Sequence, residues 1–294
     1  MKIPRDNEKK RQELKIIFLG TASISGTLKC ETGLHIGSGN DELKIGGIDK
    51  YVIKTADNKP YIPGSSFKGK SRSLFEKWHG LNSNRKGADK IYRYEADDID
   101  IALSCQLSRL FGSTSKDSDK LNFPARLIVR DLMPIDFKLE KKSENTLDRL
   151  SAHANPRANE RVANNSTFKL ELDYNLEVIV DNEMNIYLGS ESQDGINNYM
   201  ENTIDDLKNI FNVLMLLQFS YLGGNGSRGY GHVSFSDLSL EIKTVSELLS
   251  FENNSVHVSI IKQTPKEIRQ EIECKKIEIV QYIRTYFEKV CNKK

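Results

Sequence analysis

The chain has 294 residues, of which 38% are hydrophobic, and its formal net charge is +2. This composition supplies a core for one large domain or two small ones. It excludes a bulk polycation, and no apolar run approaches the length of a transmembrane helix. The N-terminus lacks the hydrophobic stretch of a signal peptide, so we expect a cytoplasmic protein with no membrane partner.

Four cysteines are spread along the chain, at Cys30, Cys105, Cys274 and Cys291. They are too few for a disulfide framework, and no two of them have the Cys-x-x-Cys spacing of a zinc site. We therefore expect reduced thiols and no structural zinc.

In chain order, a polar arm at 1–14 precedes segments whose apolar residues alternate as in strands or recur as in helices. The predicted strands lie at 15–18, 23–30, 51–54, 126–132, 167–174 and 232–235. One predicted helix begins after residue 66, and three more cover 101–111, 204–217 and 266–294. Separate strands and helices indicate an α+β fold with an antiparallel sheet, as in ferredoxin-like and RNA-recognition folds.

Two polar stretches interrupt this pattern. The stretch at 80–100 is charged and predicts an insertion or loop. The stretch at 138–166 has few apolar side chains that could anchor it in a core. It therefore predicts a hairpin that projects from the domain.

Basic residues concentrate between positions 61 and 90, where seven lysines and arginines accompany only Glu76 and Asp89. A basic stripe on a nearly neutral protein is typical of a nucleic-acid groove. A solvated helix face has the same composition. Charge distribution alone leaves both interpretations open.

The richest glycine segment is the run at 223–231, which holds five glycines together with Arg228 and Tyr230. Glycines such as Gly226 and Gly229 let backbone N–H groups turn toward a ligand and approach it closely. Arg228 offers a planar fork of donors for phosphate oxygens, and Tyr230 offers a flat face for a base. The run predicts an RNA- or nucleotide-binding loop, and a flexible hairpin turn is the alternative.

A second candidate phosphate site is the segment at 63–70. Ser65 or Ser66 can cap a helix there, and the free N–H groups of a helix N-terminus attract phosphate. Lys68 and Arg72 would strengthen that attraction. The alternative is an ordinary helix cap with exposed cations.

Two further residues could carry chemistry. Asp49 follows two glycines and could bind Mg²⁺ or help activate a 2′-hydroxyl for in-line attack. His35 could act as an acid or base, or contact phosphate. A turn aspartate and a packed histidine are the structural alternatives.

Taken in order, these segments resemble one family. They closely resemble the repeated backbone subunit of type III-A CRISPR effector complexes, the Csm complexes, within the RAMP superfamily. The resemblance spans roughly 20–240 and includes Arg130-Asp131 and Glu160-Arg161. The other matching segments lie at 31–37 (Glu-Thr-Gly-Leu-His-Ile-Gly), 45–49 (Ile-Gly-Gly-Ile-Asp), 61–70 (Tyr-Ile-Pro-Gly-Ser-Ser-Phe-Lys-Gly-Lys), 109–112, 145–149, 154–157 and 221–231.

The resemblance implies an RNA-recognition-like core at 15–245. It further implies a lid or helical insertion near 80–125 and a thumb hairpin near 135–166. A C-terminal helical extension at 246–294 would lengthen this member. His153 departs from the family, which leads us to expect an acidic residue there.

The resemblance also implies function. Copies would line up along a guide CRISPR RNA beside other Csm-complex subunits. Each thumb would displace a base of the paired single-stranded target RNA. Asp49, with Mg²⁺ or another divalent cation, would then cleave that RNA at regular intervals. The candidate RNA contacts are His35, Ser65, Ser66, Lys68, Arg72, Arg157, Arg228, Gly226 and Gly229.

Two alternatives to this function remain. The chain could be a non-catalytic RNA-binding scaffold in which Asp49 is silent. It could instead process guide RNA by metal-independent acid–base catalysis, which requires a histidine such as His35.

Overall fold

The computed structural model describes residues 14–38, 50–86, 92–115, 122–187, 195–249 and 258–291. Almost all of the predicted N-terminal arm at 1–14 lies outside these ranges. The loop that contains Asp49 also lies outside them.

The described residues form strands and helices, and a 3₁₀ turn covers Gly226–Arg228. The strands are β1 Lys15–Cys30, β2 Arg85–Lys86, β3 Tyr92–Arg93, β4 Leu127–Val129, β5 Pro134–Asp136, β6 Leu139–Leu147, β7 Ala154–Val162, β8 Thr167–Val180, β9 Val233–Thr244 and β10 Val258–Lys262. The helices are α1 Gly64–Trp78, α2 Ile99–Ser104, α3 Gln106–Phe111, α4 Gly195–Gln218, α5 Val245–Leu249, α6 Pro265–Cys274 and α7 Lys276–Cys291.

The main sheet is antiparallel, in the order β10-β9-β1-β8-β4, and β5 also pairs with β8. Leu28 at its centre pairs with Phe168 on one side and Phe235 on the other. All three side chains are buried. Because alternate residues of a strand point to the same face, this register places a continuous apolar layer on one side of the sheet.

Helices α1, α4, α6 and α7 contribute to the same hydrophobic core as that layer. The amphipathic pattern of α4 places Leu207, Phe211 and Leu214 in the core. Helices and an antiparallel sheet joined in one core confirm the predicted α+β, ferredoxin-like class.

The C-terminal segment corrects one prediction. The single helix expected at 266–294 is two helices, α6 and α7, which meet at Lys275. Thr264 begins α6 with a reciprocal capping box to Glu267. The preceding strand β10 extends the sheet, so this segment is not purely helical. The buried isoleucines of α6 and α7, such as Ile272 and Ile283, pack on the chain's own core.

The helix expected at 101–111 is also divided. Cys105 adopts an extended conformation with φ −89° and ψ 116°, which separates α2 from α3. Within the stretch at 80–100, β2 pairs with β3, and Glu95 is buried beside Arg72 and Arg93. This segment is therefore tied to the core by a buried carboxylate.

The polar stretch near 138–166 forms the predicted hairpin. Strands β6 and β7 pair from Leu139 with Val162 to Leu147 with Ala154, in a two-stranded sheet separate from the main one. Leu150 lies in the turn between them and is fully exposed. None of the described helices is both long enough and apolar enough to cross a bilayer.

Candidate nucleic-acid interface

A groove of about 1150 Å³ separates the β6–β7 hairpin from the glycine-rich loop at 223–231. Five cationic and two acidic side chains line it, so its charge favours an anionic ligand. We call it the hairpin groove. Its lining residues are Lys50, Lys142, Glu144, Asn145, Thr146, Leu147, Asp148, Arg149, Ala152, Arg157, Asn159, Asn225 and Arg228.

The glycine-rich loop is an ordered turn. Leu222 donates its N–H to the carbonyl of Gly231 at 2.8 Å, and Gly231 donates to Gly33 at 2.9 Å. The backbone is left-handed at Asn225 and at Gly229, on either side of the 3₁₀ turn. These bonds fix the loop against the segment that contains His35.

Gly226 and Gly229, both predicted RNA contacts, occupy different surroundings. A Cβ on Gly226 would lie 2.0 Å from Cγ of Tyr221, so this glycine permits close packing on the aromatic ring. A Cβ on Gly229 would meet nothing within 4 Å. Gly229 therefore leaves open backbone for a ligand, whereas Gly226 is needed for packing.

Tyr230 does not present the stacking face that the sequence suggested. Its side chain is only 1% exposed, and its hydroxyl donates to Oε1 of Glu144 at 2.8 Å. Lys142 and Arg161 lie over its ring at 4.4 and 4.9 Å from the centroid. The base-stacking prediction is wrong because the hairpin covers the ring.

Arg157 and Arg228, far apart in sequence, both reach the hairpin groove. Arg228 is 67% exposed, and its Nη1 lies 3.3 Å from Oε2 of Glu144. Arg157 is exposed and pairs with Glu144 across the two hairpin strands. The structure thus brings these two predicted RNA contacts to one groove, which Glu144 also lines.

The start of α1 departs from the prediction. Pro63 is the N-cap and makes no side-chain cap, and the N–H of Gly64 donates to Oδ1 of Asp131 at 2.7 Å. Neither Ser65 nor Ser66 caps the helix. An acidic side chain already complements this N-terminus, which weakens its attraction for phosphate.

Lys68 and Arg72 are held by protein groups. Lys68 Nζ donates to the carbonyl of Leu127 at 2.7 Å, and burial lowers the pKa of its ammonium. Arg72 pairs with Glu76 and with buried Glu95. Both side chains therefore join α1 to neighbouring segments, and their role as RNA contacts stays a prediction.

His35 is a packed histidine, the structural alternative considered for it. It is 6% exposed, and its Nδ1 lies 2.7 Å from the carbonyl of Glu160. The Glu160 carboxylate accepts hydrogen bonds from the N–H of Val52 and from Nζ of Lys54. Glu160, which no sequence argument selected as a site residue, therefore joins three segments at the base of the hairpin.

Lys50 is the described residue that follows Asp49. It forms a parallel bridge with Asn159 and lines the hairpin groove. Asp49 itself lies outside the described residues. Within the described ranges, no three His, Cys, Asp or Glu side chains form a metal-binding group.

Comparison with known proteins places the chain in a family. The model of the RAMP superfamily matches residues 27–234. The CRISPR system Cms endoribonuclease Csm3 of Streptococcus thermophilus is 40% identical over 247 residues, which cover 78% of this chain and 96% of that protein. The protein of the same name from Methanocaldococcus jannaschii is 33% identical over 264 residues, covering 86% and 94%.

A solved structure shares the fold. In the crystal structure of the Csm3-Csm4 subcomplex of the type III-A CRISPR-Cas interference complex, one chain matches with a TM-score of 0.52 at 24% identity. The match covers 87% of this chain and 97% of that one. This chain belongs to the RAMP superfamily and, within it, to the Csm3 family of CRISPR endoribonucleases.

Proposed function

We propose that this protein is the RNA-cleaving backbone subunit of a type III-A CRISPR effector complex. Copies of the chain bind a guide CRISPR RNA side by side, together with other subunits of the complex. Each copy cleaves the paired single-stranded target RNA with Asp49 and a divalent cation. The observation that carries the proposal is the cationic hairpin groove, which lies beside the residue that follows Asp49.

The groove suits a ligand of any base sequence. Its cations, such as Arg157 and Arg228, stand on separate elements and face a shared space. Contacts of this kind neutralise phosphates and position the strand without reading bases. A guide RNA, whose sequence varies, requires recognition of that kind.

The hairpin supplies the element that would separate bases. Its turn presents Leu150, an apolar side chain fully exposed to solvent. Asp148 stabilises the turn by accepting the N–H groups of Leu150 and Ser151 at 2.9 and 3.4 Å. An apolar wedge on an ordered turn can enter between neighbouring bases and unstack them.

Cleavage then requires little machinery. If a nucleotide is displaced so that its own 2′-hydroxyl lies in line with the phosphate, positioning provides much of the rate. A cation bound at Asp49 would stabilise the charge that develops on the phosphate oxygens. The acid–base alternative is not favoured, since His35 is buried and its Nδ1 contacts a backbone carbonyl.

Asp49→Ala in the assembled complex tests this proposal. We expect target cleavage to fall by more than about a hundredfold, because the metal loses its ligand, while guide and target binding are unchanged. Asp57→Ala, which removes an exposed turn aspartate, is the control. Undiminished cleavage in the Asp49 variant would refute the assignment. It would favour a protein in which Asp49 has no catalytic role.

A further inference from the structure

Glu144 is an acid among the cations of the hairpin groove. Its Oε2 lies 3.3 Å from Arg228, and its Oε1 lies 3.7 Å from Lys142. Arg157 is its cross-strand partner. A carboxylate here repels phosphate and so opposes RNA binding. Its contacts within the protein must explain why the groove contains it.

The strongest of these contacts is with Tyr230. The phenol is buried, and Lys142 and Arg161 flank its ring. Arg161 is itself held by Glu140, whose Oε1 lies 2.5 Å from its Nε. A fixed phenol that donates to Glu144 at 2.8 Å therefore ties the hairpin to a loop 86 residues away in sequence.

The same bond also affects the pKa of Glu144. The hydrogen bond from Tyr230 is the main cause that lowers the pKa of Glu144, and Lys142 and Arg228 lower it further. A glutamate carboxyl group is already ionised at neutral pH, and these contacts favour that form further. An ionised Glu144 can hold the exposed guanidinium of Arg228 at the edge of the groove.

We propose that Glu144 and Tyr230 are positioning residues: they latch the hairpin onto the glycine-rich loop and orient Arg228 toward RNA phosphates without contacting RNA themselves. The part that concerns Arg228 rests on the proposed function. The part that concerns the hairpin rests only on contacts within the chain.

The test compares three variants of the full chain. Tyr230→Phe removes the hydrogen bond, whereas Glu144→Gln keeps an acceptor oxygen for Tyr230 but removes the charge. The matched control is Tyr282→Phe, which removes a tyrosine–glutamate bond, to Glu247, in the C-terminal segment. Hydrogen exchange of the β6–β7 amides and binding of a fluorescent single-stranded RNA are measured for each variant.

In Tyr230→Phe we expect the hairpin amides to exchange at least about tenfold faster than in the wild type. RNA should bind about fivefold more weakly. The amides of strands β1 and β8, in the main sheet, should exchange at the wild-type rate. Tyr282→Phe should match the wild type in both measurements. Glu144→Gln should keep slow hairpin exchange, because its amide oxygen still accepts from Tyr230. It should bind RNA more weakly than the wild type, because Arg228 loses the charge that orients it.

Two results would overturn the latch. Hairpin exchange in Tyr230→Phe that equals the wild-type rate would show that the bond does not hold the hairpin. RNA binding by Glu144→Gln at least as tight as that of the wild type would show that the carboxylate does not orient Arg228 and only repels phosphate. If the wild type bound no RNA, the proposed function and the role of Arg228 would both fail, yet the exchange comparison would still decide the hairpin contact.

Discussion

The carbonyl oxygen of Lys50 accepts a hydrogen bond from the backbone N–H of Glu160 at 2.9 Å. Lys50 follows Asp49 in the chain, and Glu160 belongs to the second hairpin strand, β7. The carboxylate of Glu160 accepts hydrogen bonds from the N–H of Val52 and from Nζ of Lys54. The segment after the proposed catalytic aspartate is therefore bonded to the hairpin proposed to displace the target base. Such a connection would hold the catalytic aspartate at a fixed distance from the hairpin that displaces the base.

The first prediction concerns the metal. We expect EDTA to abolish target cleavage by the assembled complex, because the negative charge that develops on the phosphate needs a cation and Asp49 is itself an anion. RNA binding should persist, and added Mg²⁺ should restore cleavage. Gel analysis of labelled target RNA and a parallel binding assay check both parts. Continued cutting in EDTA would instead favour acid–base catalysis.

The second prediction distinguishes an exposed arginine, Arg228, from a partly buried one, Arg72. Arg228→Ala should weaken RNA binding similarly for all sequences and reduce the slope of log affinity against log salt by about 1, because one phosphate contact is lost. Arg72→Ala should leave that slope unchanged. It should instead destabilise the fold by about 1–3 kcal/mol, because buried Glu95 loses a partner.

Anisotropy titrations at several salt concentrations and urea denaturation measure these two effects. Lys266→Ala, at an exposed position on α6, is the control for loss of a surface charge. An Arg72 variant that lost salt-dependent RNA binding at full stability would instead show that Arg72 contacts RNA.

The third prediction concerns two glycines of the same loop. Gly229→Ala should cost about 1–2 kcal/mol, because its φ of +82° is left-handed although its surroundings are open. Gly231→Ala should cost clearly more, since a Cβ there would also lie 2.0 Å from the carbonyl oxygen of Leu222. Chemical denaturation of the two variants gives the order, and equal losses would contradict it.

The fourth prediction concerns a buried ion pair. Asp206 binds Nη2 of Arg109 at 2.9 Å and the hydroxyl of Tyr174 at 2.8 Å, with all three side chains buried. Asp206→Ala should destabilise the protein by about 3–5 kcal/mol, because it leaves an arginine charge buried and uncompensated. The double variant Arg109→Met, Asp206→Leu should lose much less. Thermal unfolding of both variants tests the difference.

Much of the fold was accessible from the sequence. Alternation at 23–30 and 167–174 predicted strands because a sheet with one buried face requires every second side chain to be apolar. The scarcity of apolar residues near 138–166 predicted the hairpin for the converse reason. The order of short motifs identified the family, because each motif depends on residues adjacent in the chain.

Side-chain roles were less accessible, because they depend on partners distant in sequence. Lys68 and Arg72 are residue types that bind phosphate, yet Lys68 donates to the carbonyl of Leu127 and Arg72 pairs with Glu95. Tyr230 is a residue type on which a base could stack, yet strand β6, which contains Glu144, covers its ring from 86 residues away in the sequence. Amino-acid composition cannot show whether a side-chain donor binds a group of the protein or remains available to RNA.

The sequence by itself determined the α+β class, the projecting hairpin, the family and the candidate aspartate, since all of these follow from local pattern. Only the tertiary structure decided which cations face the hairpin groove. Arg72 lies beside the buried carboxylate of Glu95, whereas Arg228 is mostly exposed and lies beside Glu144, which is only partly buried. For these two arginines, the burial of the partner carboxylate separates the cation held inside the protein from the one that is accessible to RNA.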